Sequence, residues 1–435
     1  MRGEPTISRH PLGVGRHGIG WTASMAGATA VLLGGVFAYS REVSEGMAAT
    51  GMRDLGVMGG ATWGLYVAFV VYFVGVSFAG ITVAALIRLF NLERLRPVAR
   101  MAELLTVVTL ILGALAILAD LGQPLRGIVN LFRYARPQSP FFGTFSLVIS
   151  GYLFASLVYL FLEGRADAAR LAKVTSRLQW LYRWWAAGYR DTAAERERHR
   201  RSSFWLAIGI IPLLVVAHST LGFVFGLQVG RPGWYSALQA PSFVVLAGVS
   251  GLGHLVVLAA IVRRAERQED RLGRDTFALL GQFMMALLLA YAYFLVVELL
   301  TATYAGAEPD RRITDAILTG EYAWIYWSSV ALLLLPLVAL MLQAVSRRWS
   351  IGLIVAGGVA VNLAAIGKRY LIVVPSQTKG MLLPYAEGSY SPTISELGVV
   401  MGLLALGALL IGLFMKVFPI MELPEDERTE VEIRA

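Results

Sequence analysis

The 435-residue chain contains no cysteine, and this absence removes several kinds of site at once. Without thiols the chain can form no disulfide bond, and it can hold no iron–sulfur cluster through cysteine ligands.

Charged residues are scarce, since Asp, Glu, Lys and Arg together make up 15% of the chain. Hydrophobic residues make up 57%, and the mean hydropathy is +0.63, which is too apolar for a soluble domain of this length. The formal net charge of +9 suggests nucleic-acid binding only until the basic residues are located. They lie in a few loops beside apolar runs, which is the pattern that orients membrane helices, so no nucleic-acid partner is expected.

Runs of about 20 apolar residues recur along the chain, and a helix of that length crosses a bilayer. The sequence therefore predicts an all-α, polytopic integral membrane protein with one transmembrane domain, 1–435. Two four-helix bundles are predicted at about 60–228 and 242–374, flanked by two peripheral helices. The ten predicted spans are about 21–39, 60–88, 101–120, 141–163, 203–228, 242–262, 276–302, 323–345, 350–374 and 394–416.

The basic residues indicate how these spans are oriented. They concentrate in the loops that follow the even-numbered spans, at 94–100, 164–201, 263–274 and 347–348. Both termini are therefore predicted to be cytoplasmic, and the start of the chain lacks the pattern of a cleavable signal. Within the loop 164–201, the stretch 171–189 mixes Leu and Trp with Arg and Lys, which predicts an amphipathic helix at the membrane surface.

Six charged or titratable side chains lie within or at the ends of the apolar spans, where a charge is costly and rarely accidental. With the N-terminus inside, a rise of about 1.5 Å per residue places all six in the outer half of the membrane. Their common depth indicates a single site. They are Asp120, His218, Glu298, Lys368, Arg369 and Glu396.

Structural explanations stay open for four of these residues. Asp120 can end its helix near water, and Lys368 and Arg369 can extend to the outer headgroups. Glu396 lies three residues after a threonine, which is the spacing of a capping box at a helix N-terminus.

His218 and Glu298 lie deeper in their spans, which favours a function for both. Tyr291 is seven residues before Glu298 and shares its helix face. A carboxylate and an imidazole can hydrogen-bond the hydroxyl groups of a quinol and accept their protons. The residues thus predict a quinol site with His218, Glu298 and Asp120 as the catalytic groups.

A haem held by two histidines is the main competing use of His218. Its partner would have to be His254, because the other three histidines lie outside the spans. The helical rise places His218 about 24 Å from the inner end of its span and His254 about 12 Å from the inner end of its own. Because both ligands of one iron must lie at nearly the same depth, no haem is predicted, and His254 is interpreted as a packed core residue.

Polar motifs follow the outer ends of several spans. In this order and helix context they resemble the polysulfide reductase membrane-subunit (NrfD) family over nearly the whole chain. The ten-helix form is similar to the quinol-interacting subunits of alternative complex III and of sulfur-metabolism transmembrane complexes. The motifs are Asp120-Leu-Gly-x-Pro-x-Arg126, Arg136-Pro-x-Ser-Pro140, Phe225-Gly-Leu-Gln-Val-Gly-Arg-Pro-Gly-Trp234, and Lys368-Arg-Tyr-Leu-Ile-Val-Val-Pro375 with Gly388-Ser-Tyr-Ser-Pro-Thr393.

The resemblance implies a membrane subunit of a respiratory oxidoreductase complex in the cytoplasmic (inner) membrane of a prokaryote. Such a subunit binds menaquinone or ubiquinone near the extracytoplasmic face and exchanges electrons with an iron–sulfur, ferredoxin-like subunit there. It carries no haem, iron–sulfur cluster or other metal of its own. The implied quinone-binding residues are His218, Asp120, Arg126, Tyr291, Glu298, Lys368, Arg369 and Glu396. Gln123 stands where relatives often have Arg, which leaves the details of the partner contact open.

Two other functions are compatible with buried charges. A transporter or ion-translocating protein could use them as a pathway, although such sites usually lie near the midplane at broken helices. A purely structural anchor for a partner would not require His218 or Glu298.

Overall fold

A computed structural model of the chain describes residues 14–52, 61–134, 136, 138, 140–173, 176–379 and 388–423. Within these residues the regular structure is helical and contains no strand, which confirms the all-α prediction. The α-helices of this part of the chain are α1 (Ile19–Glu45), α2 (Leu65–Leu89), α3 (Arg96–Asp120), α4 (Pro124–Tyr134), α5 (Ser146–Leu171), α6 (Gln179–Ala186), α7 (Ala193–Gly226), α8 (Gln239–Ala265), α9 (Arg274–Leu300), α10 (Glu308–Leu318), α11 (Ala323–Ser346), α12 (Ile351–Val373), α13 (Pro375–Thr378) and α14 (Ile394–Val417).

The described residues include 9 helices that are long and apolar enough to cross a membrane. In α2 the shorter stretch Leu65–Phe78 is apolar in the same way. The polytopic prediction is confirmed, and each of the ten predicted spans corresponds to one helix. These helices are α1, α2, α3, α5, α7, α8, α9, α11, α12 and α14.

The predicted spans differ from the helices mainly at their ends. Helix α5 continues to Leu171, beyond the predicted 163. Helix α7 begins at Ala193 rather than near 203, because Thr192 and Glu195 form a capping box that satisfies backbone donors at its start. Tertiary packing and capping therefore extend both helices past the apolar runs.

Two short amphipathic helices, α4 and α10, lie in connections between the predicted spans. Each has 11 residues, which is too short to cross a bilayer. Leu125 and Phe132 of α4 are exposed, as is Arg126. The segment therefore has the composition of a helix that lies along a surface.

The alternation of helix directions gathers charged residues at two opposite ends of the bundle. One end is here called the Asp120 end. It contains the last residues of α1, α3, α7, α9 and α12 and the first residues of the spanning helices that follow each of them. At the other, the arginine-rich end, the connections carry most of the basic residues. The predicted amphipathic stretch lies there as α6, whose Trp185 stacks on Phe418 with ring centroids 4.3 Å apart.

Helix α2 lies at the centre of the bundle and packs against α3, α7, α8 and α12. Helix α8 also contacts α7, α9 and α12, so the predicted halves meet along the α2–α8 contact. The division into two four-helix bundles stays a prediction. The central position of α2 matters for the site, because the key polar side chains approach it from several helices.

Helix α1 is attached to the bundle mainly through α14, and glycines allow their close approach. A Cβ on Gly35 would lie 2.7 Å from Gly402 Cα and 2.9 Å from the Gly398 carbonyl oxygen. A side chain at Gly35 therefore forces the two helix backbones apart. Small residues of this kind are the usual contact between membrane helices.

We expect Gly35→Val to detach α1 from α14, because backbone atoms cannot move aside as a flexible side chain can. The check is a disulfide between cysteines placed at Ala38 and Gly398, since a Cβ at Gly398 would lie 3.0 Å from that of Ala38. The chain has no native cysteine to compete. Gly34→Val is the matched control, because nothing lies within 4 Å of a Cβ there. Equal cross-linking in the two variants would contradict the expectation.

Candidate functional site

Arg369 is the central charge of the candidate site, and α12 holds it in the interior with only 2% of its surface exposed. One guanidinium nitrogen, Nη2, donates to the Phe243 carbonyl oxygen at 3.3 Å. The guanidinium carbon lies 4.1 Å from the centroid of the Phe243 ring. The other terminal nitrogen, Nη1, is buried and has no hydrogen-bond partner among the described residues. A buried cation in this state is a strong candidate to bind an anionic or carbonyl oxygen.

His218 is held by backbone carbonyls on both sides of its ring. Nδ1 lies 2.9 Å from the Leu214 oxygen, one turn earlier in α7, and Nε2 lies 2.7 Å from the Val74 oxygen of α2. Phe78 and Tyr152 pack edge-on against the ring. A neutral imidazole has only one N–H for these two acceptors, so both contacts become hydrogen bonds only when the ring carries a second proton. A proton added to the His218 ring therefore forms a second hydrogen bond to a backbone oxygen.

The second group in the site is an ion pair between α9 and α12. Lys368 Nζ lies 3.3 Å from Glu298 Oε2, and their side chains are 4% and 53% exposed respectively. The ammonium also lies 5.4 Å from the centroid of the Tyr326 ring. The lysine is thus an interior group, whereas the carboxylate reaches the protein surface. A molecule in the surrounding membrane can approach Glu298 from the side of α9.

Arg369 lies close enough to His218 and to Tyr291 to interact with both electrostatically. Tyr291 in turn lies near Lys368 and Glu298 of the ion pair. His218 binds the carbonyl of Val74, and a Cβ on the next residue, Gly75, would lie 3.7 Å from Arg369 Nη2. The histidine and the arginine therefore approach α2 at consecutive residues. Five of the predicted residues come together here: His218, Tyr291, Glu298, Lys368 and Arg369.

The remaining predicted residues lie elsewhere at the Asp120 end. Asp120 is 7% exposed at the last residue of α3. Arg126 is exposed on α4. Glu396 forms the capping box with Thr393, so the capping geometry considered from the sequence is present. Its carboxylate oxygens accept from Tyr390, Gly51 and Thr393 rather than from the group around Arg369, and its predicted quinone contact stays a prediction.

His254 occupies a different environment from His218. Its Nδ1 lies 2.6 Å from Asn362 Oδ1, and its ring packs against Tyr72. By helical rise, His218 is about 12 Å and His254 about 22 Å from the helix ends at the Asp120 end. The depth difference inferred from the sequence therefore persists. Among the described residues, no three His, Asp or Glu side chains group as metal ligands.

Several buried polar residues were missed by the sequence analysis. Glu42 of α1 is 4% exposed, although it lies beyond the predicted end of that span. Arg100, which was assigned to a basic loop, is 2% exposed within α3 and pairs with Asp167 at 2.7 Å. Tyr66 and Tyr390 contact the buried acids of the Asp120 end. The available signal was that each missed charge stands within a few residues of a predicted helix end.

The group around Arg369 combines hydrogen-bond donors and acceptors that can bind a polar ligand and accept its protons. Arg369 offers a buried N–H group, Glu298 an exposed carboxylate, and Tyr291 a buried phenol. Quinol sites need groups of these kinds, since hydrogen bonds orient the ring and a base accepts its protons.

Comparisons with known proteins agree with this reading of the membrane bundle. The family model described as "Polysulphide reductase, NrfD" matches residues 55–379. A protein of Halobacterium salinarum, named as a proposed membrane subunit of dimethyl sulfoxide reductase, is 30% identical over 98% of this chain and 97% of its own. A selenate reductase subunit of Mesobacillus selenatarsenatis is 26% identical over 89% and 91% of the two chains. The Hdr-like menaquinol oxidoreductase integral membrane subunit of Archaeoglobus fulgidus is 26% identical over 85% and 87%.

Proposed function

The chain belongs to the NrfD polysulphide reductase family, and on that premise we propose that it is the quinol-binding membrane subunit of an oxidoreductase complex. The observation that carries this proposal is the position of Arg369, a buried cation near His218 and Tyr291 whose Nη1 has no hydrogen-bond partner among the described residues. The name of the Archaeoglobus fulgidus relative, a menaquinol oxidoreductase subunit, supports the same class of substrate.

Each side chain has a role that its surroundings support. Arg369 Nη1 donates to a ring oxygen and stabilises negative charge there. Glu298 accepts a proton at the protein surface, and Lys368 holds it in place from the interior. His218 accepts the second proton into a ring already flanked by two carbonyl oxygens, and Asp120, at the end of α3, takes up one of the two protons as it leaves the site. The quinol supplies two electrons and two protons when it is oxidised.

The partner and the orientation form the second part of the proposal. We propose that the electrons pass to an iron–sulfur subunit, and that this subunit is a separate polypeptide, since a chain without cysteine holds no cluster through thiolate ligands. We place that subunit at the Asp120 end, on the extracytoplasmic side, with both termini of this chain in the cytoplasm. The exposed arginines Arg126, Arg133 and Arg136 of the α4 region offer it a basic surface.

A transporter is the alternative that the helix geometry favours less. Transporter sites usually form where helices are interrupted near the midplane. Here α7 and α11 contain Pro212 and Pro336 and yet run as continuous helices. The group around Arg369 lies near the ends of its helices rather than in their middle.

A test of the function is quinol oxidation by the purified complex in the variant Glu298→Gln. We expect the rate to fall about tenfold, the equivalent of one charge-assisted hydrogen bond of roughly 1.4 kcal/mol. Glu308→Gln is the control, because Glu308 is an exposed acid on α10 at the same end. Equal rates in both variants would remove Glu298 from the site.

A redox difference spectrum of the purified chain tests the absence of haem separately. We expect no haem b band, because both nitrogens of His218 face backbone oxygens and His254 lies at another depth. A haem band would overturn this part of the proposal while leaving the Glu298 test intact.

A further inference from the structure

Four buried titratable side chains form a second polar group at the Asp120 end, separate from the group around Arg369. Glu42 and Tyr66 come from α1 and α2, Tyr390 from the segment before α14, and Glu396 from α14. The exposed fractions of Glu42 and Glu396 are 4% and 0%. Neither carboxyl group has an ion pair with a cation in the described part of the chain, although the two lie within electrostatic range of each other.

Both carboxyl oxygens of Glu396 accept hydrogen bonds from nearby donors. Its Oε1 accepts from the Tyr390 hydroxyl at 2.6 Å. Its Oε2 accepts from the backbone N–H groups of Gly51 at 2.8 Å and Thr393 at 2.9 Å. Burial, followed by the charge of Glu396, raises the pKa of Tyr390, so that phenol remains a donor. Donors on both oxygens compensate a buried negative charge.

Glu42 has different surroundings, although it is nearly as buried. Its Oε1 accepts from the Tyr66 hydroxyl, but its Oε2 is buried and has no hydrogen-bond partner among the described residues. An ionised oxygen in that position would lose its hydration without compensation, and a second charge would face Glu396. Two carboxyl groups that share an apolar site do not both ionise. A proton on Glu42 removes both costs.

We propose that Glu42 and Glu396 form a proton-holding site that keeps one proton, carried by Glu42, and exchanges it at the Asp120 end. Among the residues that the structure describes, the other titratable groups near the pair are Tyr39 on α1 and Tyr370 on α12. Arg41 does not compensate Glu42, because its guanidinium pairs with Glu45 on the exposed side of α1.

Residues next to this site contact residues next to both parts of the candidate quinol site. A Cβ on Gly122, just after Asp120, would lie 2.9 Å from the sulfur of Met47, which follows α1. On the other side, the rings of Tyr390 and Tyr370 are 6.2 Å apart, and Tyr370 adjoins Arg369 in sequence. The inferred role, which rests on the proposed function, is to pass on a proton released by quinol oxidation. The Glu42 O–H bond breaks as water takes its proton, a quinol-derived proton reforms it, and no electron moves.

The test is infrared spectroscopy of the purified complex, which detects the carbonyl stretch of a protonated carboxylic acid and its shift in D2O. We expect this band in the native protein and its loss in Glu42→Gln. Glutamine keeps an oxygen to accept from Tyr66, so the packing of α1 is preserved. Glu45→Gln is the matched control, since Glu45 is an exposed acid one turn of helix away. A band that persists unchanged in Glu42→Gln would overturn the proposal.

A second variant keeps the proposal testable if Glu42→Gln does not assemble. Tyr66→Phe removes the hydrogen bond to Oε1 and leaves Glu42 in place, so the band is expected to remain and to move to higher frequency. An unmoved band would also overturn the assignment. Addition of quinol tests the coupling: oxidation is expected to change the Glu42 band in the native protein, and to change it about tenfold more slowly in Glu298→Gln. If the native complex oxidises no quinol but Glu42→Gln still loses the band, the proposed function fails and the proton-holding site stands.

Discussion

Replacement of Arg100 by methionine is expected to lower the stability of the folded protein by about 3–5 kcal/mol, because it leaves a buried carboxylate without its main partner. Arg100 Nη2 lies 2.7 Å from Asp167 Oδ2, and the two side chains are 2% and 4% exposed. Its Nη1 donates to the carbonyl oxygens of Pro419 and Met421, both at 3.0 Å. One side chain thus joins α3, α5 and the segment after α14.

The measurement is the unfolding midpoint of the purified protein in denaturing detergent, together with protease cleavage near 418–423. We expect Arg100→Met to unfold earlier and to expose that segment. Arg170→Met is the matched control, because Arg170 also pairs with Asp167, at 3.1 Å, but is more exposed. Its removal leaves the Arg100–Asp167 pair intact, and a loss of about 1 kcal/mol or less is expected.

A double variant separates the cost of an unpaired charge from the loss of packing. Arg100→Met with Asp167→Leu removes both members of the buried pair, and apolar replacement of a whole pair is often neutral or stabilising. We expect the double variant to recover most of the stability lost in Arg100→Met. If the single variant unfolds together with the native protein, Arg100 does not hold these elements together.

The number and order of the spanning helices could be predicted from the sequence, because a bilayer demands about 20 apolar residues per helix. Their ends could not, since they depend on capping and packing rather than on hydrophobicity. Glu42 and Arg100 show the consequence: each lies just outside a predicted span, and each is buried. The capping box at Thr192 has a sequence signature, a threonine followed three residues later by glutamate. The predicted start of that span was instead taken from the apolar pattern.

The position of the candidate site along the helices could be predicted from the sequence, but the pairs of side chains that contact each other could not. The helical rise was enough to gather His218, Glu298 and Arg369 at one end. Which side chains meet depends on how the helices pack around α2, and sequence spacing carries no such information. Lys368 reaches Glu298 across two helices, while the adjacent Arg369 faces the opposite way, toward Phe243.

Arg369→Gln is expected to reduce quinol oxidation by the purified complex roughly 10²-fold, the usual effect of removing one preorganised donor to a developing negative charge. The same change is expected to leave stability unchanged or raise it. Nη1 makes no hydrogen bond within the described part of the chain, so its removal breaks no internal ion pair and relieves a buried charge. Glutamine can still donate to the Phe243 carbonyl oxygen.

A slower quinol oxidation together with an unchanged or raised stability distinguishes a binding role of Arg369 from a structural one. If Arg369 serves only to pack against Phe243, then Arg369→Gln lowers the unfolding midpoint and leaves kcat/KM per assembled complex unchanged. Arg369→Lys provides a graded comparison, since lysine keeps the charge but lacks the planar fork of donors, and an intermediate rate is expected. Arg348→Gln is the control at the arginine-rich end, where the side chain is exposed. Retention of full kcat/KM in Arg369→Gln would move the quinol site away from α12. The only other interior cation of that helix is Lys368, and Lys368 is already paired with Glu298.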